Sequence, residues 1–144
     1  MTPRGSRSAG DGPEGAVRHW KKAGRFLAAA RHDRDGRHWE AAISSAVLGG
    51  IHLADALSLW YTGRRSATQR HEDATDRIEG IVEIDAPVRR RFADHVRALL
   101  EVKNLVQYSG DESRATDADE AITHLERALA AVAPIAKGAG WLGP

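Results

Sequence analysis

Between His38 and Gly63 the chain reads HWEAAISSAVLGGIHLADALSLWYTG, and this stretch restricts what everything around it can become. Trp39, Ala42, Ile43, Ala46, Val47, Gly50, Ile51, Ala54 and Leu57 recur at steps of three and four, the spacing that lines one side of an α-helix. Leu48, Leu53, Leu59 and Trp60 fall off that stripe, so the rod is apolar around most of its girth. A helix of about 25 residues, rising about 1.5 Å at each, crosses a small domain from end to end. A membrane span needs about 20 apolar residues, and this run is interrupted by His52, Asp55 and several serines. The stretch predicts a central, largely buried helix, and the other segments must supply its cover.

Those segments also read as helices. Pro13 suits a first helical turn, and Ala16, Trp20, Ala23, Phe26, Leu27 and Ala30 give a first helix, expected to about His32, its apolar side. HDRDGR, at 32–37, reads as a polar turn in which Gly36 is available for positive φ. Ser66 and Gln69 have capping-box spacing and open a third, more polar helix to about Val82. Asp85-Ala86-Pro87 starts a fourth helix reaching Tyr108, with Phe92, Val96, Leu99, Leu100, Val102 and Val106 inward. Arg97 and Glu101 are spaced to pair along it. A fifth helix opens at Thr116-Asp117, and Pro134 is expected to disturb its last turn. Trp141, beyond it, either folds back onto the bundle or meets a partner. No stretch of useful length has a strand pattern. The fold class is therefore all-α: an up-and-down four-helix bundle with an additional short helix over residues 13–138, between a flexible leader (1–12) and a tail (139–144).

The 144 residues suit one domain, and their low aromatic and high alanine content predicts helices packed closely over small side chains. The absence of cysteine removes disulfides, thiolate metal sites and cysteine nucleophiles, and fits a reducing, cytoplasmic compartment. A net charge of +1 gives no global field toward nucleic acid. Its distribution is uneven: residues 1–40 hold nine Lys/Arg against five Asp/Glu, and residues 101–144 four against seven. A basic first third can touch phosphate or simply form a solvated face.

Several chemistries are excluded by motif. There is no Glu-x-x-His, His-Glu-x-x-His, P-loop or Gly-x-Ser-x-Gly. His52 and Asp55, three apart, share one side of the central helix, but a third metal ligand is not evident in the sequence. The expectation is a structural hydrogen bond, with no metal and no cofactor.

The decapeptide Leu99-Leu100-Glu101-Val102-Lys103-Asn104-Leu105-Val106-Gln107-Tyr108 resembles the HEPN family of small helical proteins. The likeness extends to ADAL at 54–57, Gly63-Arg64-Arg65, His71 and the Ala/Leu-rich closing helix after Asp117-Ala118, over roughly residues 16–135. The resemblance implies a four- or five-helix bundle, often a homodimer, with many members acting as metal-independent RNases in toxin or defence settings. Lys103 stands where the family has Arg, Asn104 at the polar position and Tyr108 in the place of His. Lysine lacks the planar fork of arginine. A tyrosine with a pKa near 10 is ionised in only about one molecule in a thousand at pH 7, which makes it a poor general base. The resemblance thus implies a non-catalytic module that binds RNA or a nucleotide as a homodimer, with Asp55, Arg64, Arg65 and His71 as further ligand contacts and Asp55 reaching His71, Lys103 or Tyr108. The alternatives are an endoribonuclease toxin using Lys103, Asn104 and Tyr108, with an antitoxin-like protein partner, and a structural adaptor bundle. No membrane partner is expected.

Overall fold

The computed structural model describes residues 12–64, 72–110 and 112–141. Five helices follow in chain order: α1 Pro13–Asp35, α2 Trp39–Thr62, α3 Glu72–Glu79, α4 Ala86–Tyr108 and α5 Ala115–Ala139. No strand occurs among the described residues. The chain is an all-α bundle of four long helices, with short α3 laid against α4 and α2.

α2 touches each of the other four helices, as its all-round apolar pattern demands. It buries Ile43, Val47, Leu53, Leu57 and Leu59 together with Gly49 and Gly50. A Cβ built at Gly49 would stand 2.7 Å from Leu125 Cδ2, and one at Gly50 2.8 Å from Leu99 Cδ1. α5 and α4 therefore seat their leucines directly on the bare backbone of α2. Among the described helices α2 alone is long and apolar enough to cross a membrane, but 67% of that stretch is buried by its neighbours. Its apolar girth is accounted for as core. α1 approaches α2 differently, burying only Gly15, Ala16, Ala23 and Ala30.

Several local expectations change. α1 runs on to Asp35, because Gly36 N–H bonds back to the His32 carbonyl and keeps φ at −83°. The left-handed step falls on Arg37 instead, at φ 65°. α3 ends at Glu79, where the amides of Gly80 and Ile81 bond to Arg77 and Ile78 in tight turns. These turns plug Ile81 and Ile84 into the core and leave Val82 exposed. The expected start at Ser66 and Gln69 lies outside the described residues. α5 continues through Pro134 to Ala139, because that proline sits on the exposed side while Ala131, Val132 and Ala136 stay buried around it. Gly140, at φ 79°, then closes the helix. Trp141 folds back until it is 1% exposed, packed against Trp20 and Trp60. Arg97 turns from Glu101 to the other helix, meeting Glu79 at 2.6 Å and Asp76 at 3.3 Å, and so fastens α3 to α4.

Candidate metal centre

Asp55 and His52 lie three residues apart on α2, one turn above the other, and both face α1. His19 meets them from α1. It is three residues after buried Ala16 and four before buried Ala23, so the same helical face that packs on α2 carries its ring inward. His19 Nδ1 lies 2.8 Å from His52 Nδ1 and 4.0 Å from Asp55 Oδ2. One donor atom from each of the three residues falls within a mutual 4.8 Å. The side chains of His19 and Asp55 are only 14% and 17% exposed, so the cluster is largely withdrawn from water.

The rings are held. His52 stacks on His19 at 5.0 Å between centroids and on Phe26 at 5.3 Å, the latter nearly parallel at 10°. Two imidazole nitrogens 2.8 Å apart cannot both carry hydrogen toward each other, so one Nδ1 donates and the other accepts. The pair thus offers one nitrogen lone pair and one displaceable N–H within 2.8 Å of each other. A tetrahedral zinc ion, with ligand bonds of about 2.0–2.2 Å, needs donors about 3.3 Å apart. The nitrogens would part by about half an ångström and the carboxylate close by about 0.7–1.5 Å to hold such an ion.

A second histidine pair, His95 on α4 and His124 on α5, repeats the Nδ1–Nδ1 contact at 3.0 Å. Burial, then the neighbouring His124 and Arg127, hold the His95 pKa below its ordinary value, against a weaker pull from Asp94. Among the described residues no third ligand joins this pair.

Asp55 and Tyr108, expected to share one ligand pocket, are not brought together. α2 and α4 run antiparallel: the first turn of α2 lines a cleft with Glu112 and Ser113 just beyond α4, and Tyr61 near its end lines one with Ile84, Asp85 and Val88. Gly50 is level with Leu99. Tyr108 is nine residues onward in one direction and Asp55 five in the other, about 20 Å apart along the bundle. Asn104 and Tyr108 do share a shallow cleft, with Glu101, Leu105 and Ser109, at the exposed end of α4. Lys103, half-buried, does not line it. Arg64 is exposed just past α2, its carbonyl accepting from Ser58 Oγ. Arg65 and His71 lie outside the described residues.

His19 is the residue that sequence reasoning missed. The available signal was a histidine on the apolar side of α1, in step with Ala16 and Ala23. The chain matches no protein-family model, no curated protein and no solved structure.

Proposed function

We propose that this chain is a divalent-metal-binding helical bundle in which His19, His52 and Asp55 hold the ion. The observation that carries this is the convergence of two imidazole nitrogens and a carboxylate within 4.8 Å, on a half-buried seam, from two different helices. The donor set selects the metal class. Imidazole with carboxylate suits zinc and its first-row neighbours, whereas calcium and magnesium favour oxygen alone. Phe26, stacked on His52, restricts the orientation of that ring.

The test is calorimetry of the full chain with zinc or cobalt(II) chloride. One ion binds per chain, and calcium does not compete. Loss of an outer partner costs metal sites about 10–100-fold, so removing a direct ligand in His19→Ala weakens binding by about 100-fold or more. His95→Ala is the control and leaves affinity unchanged. Equal effects from the two variants would discard the site.

A second reading is favoured by one observation at the end of α4. Leu105 and Tyr108, three residues apart, are 68% and 77% exposed. On this reading the chain is a HEPN-like, non-catalytic module that meets RNA, a nucleotide or a second copy through that face. Glu101 lines the same cleft, and Glu112, Asp117 and Glu120 line the next. These carboxylates repel phosphate, so base stacking on Tyr108 would supply the binding and its salt dependence would be shallow. Fluorescence anisotropy with a labelled RNA oligomer, in wild type and Tyr108→Ala, measures this.

A further inference from the structure

We infer, resting on the metal reading above, that the ion acts as a clasp: it governs whether the first half of α1 is docked on α2. The ligands are divided between helices, His19 on α1 and His52 with Asp55 on α2, so an ion held by all three ties one helix to the other. This link matters because the first half of α1 meets α2 through small buried residues and half-buried Val17, Trp20 and Phe26, with no large side chain fully buried. The fully buried residues of α1 are Gly15, Ala16, Ala23 and Ala30, and a methyl or a bare backbone removes far less apolar area from water than a leucine does.

The two halves of α1 are secured by different means. Arg31 pairs with Glu126 and Arg34 with Asp119, fastening the second half to α5. The first half meets the bundle through Ala16, Ala23, half-buried Val17, the His19 contacts, Phe26 stacked on His52, and Trp20, whose ring packs at 5.9 Å on Trp141. Terminal segments of a fold can open locally at a free energy below that of global unfolding. An ion that binds only the docked form suppresses that opening by the factor 1 + [M]/Kd. Metal loss would release residues 13–26 and bare the side of apolar α2 that they cover.

Hydrogen exchange on the full chain, with saturating zinc chloride or with EDTA, tests the clasp, while calorimetry on the same samples reports binding separately. With zinc at 100 times its Kd, amides in residues 13–26 are expected to exchange up to about 100-fold more slowly than in EDTA. Those of α4 change little. In His19→Gln, which leaves His52 and Asp55 in place, zinc no longer slows residues 13–26. If zinc binds but protects α1 no more than α4, or protects it equally in His19→Gln, the clasp is wrong and the metal site stands. If no zinc binds, the site itself is wrong and the clasp falls with it.

Discussion

A methyl group at Gly49 would meet Leu125 at three atoms, Cδ2 at 2.7 Å, Cδ1 at 3.0 Å and Cγ at 3.4 Å. Leu125 is fully buried, so it cannot swing its tip aside without moving its whole branch. At Gly24, on the exposed side of α1, the same methyl meets nothing within 4 Å. Alanine gains about 1 kcal/mol over glycine inside a helix, and overpacking a tight core costs about 1–3 kcal/mol. Gly24→Ala is therefore expected to stabilise by about 0.5–1 kcal/mol and Gly49→Ala to destabilise by about 1–2 kcal/mol. Urea midpoints of the two variants decide it, and a stabilised Gly49→Ala would mean that α5 is free to retreat. Individual residues were unevenly legible. Gly50 was visible as part of the apolar stripe, whereas Gly49 is defined by how close α5 comes. His19 had a readable helical position, but its two partners lie more than thirty residues away, and only packing brings them together.

At the scale of elements, the seam between α4 and α5 carries a titratable contact. His95 sits beside His124, with Arg127, Arg91 and Asp94 as its charged neighbours. Burial and the adjacent positive groups lower its pKa in the folded chain. The unfolded chain, with histidine near 6.5, takes up the proton first as pH falls, so unfolding is favoured progressively below that value. The loss ends once the folded-state pKa is also passed. Wild type is therefore expected to lose more in Tm between pH 7.5 and 5.5 than His95→Gln, which cannot titrate there. Equal slopes for the two would remove His95 from the acid response. The element pattern itself was largely legible: α2 and α4 lie within a residue or so of their expected ends, because capping signals and apolar period agree there. α5 disagreed at Pro134, since a local breaker rule gave way to buried alanines and valine on either side.

For the molecule as a whole, the arrangement of four helices around an apolar fifth part of the chain makes cooperative unfolding the expectation, because α2 packs on each of the other four helices and its loss uncovers a face of every one. The sequence disclosed that plan through all-round hydrophobicity. It could not disclose which side of α2 each partner takes, and on that depended whether Asp55 met Tyr108 or His19. Leu53, fully buried on α2 and one residue from His52, gives the plan a measurable consequence. Truncating a buried leucine costs about 2–5 kcal/mol, a large share of the 5–15 kcal/mol that holds a typical domain folded. Leu53→Ala should lower the urea midpoint accordingly in the presence of zinc, which keeps α1 docked. Two probes then report different parts of the molecule: far-ultraviolet circular dichroism follows every helix, and fluorescence follows mainly the meeting of Trp20, Trp60 and Trp141. If α2 is the common support, both probes shift together and by the same amount. A fluorescence transition that moves while the helical signal stays in place would show instead that α4 and α5 stand without it.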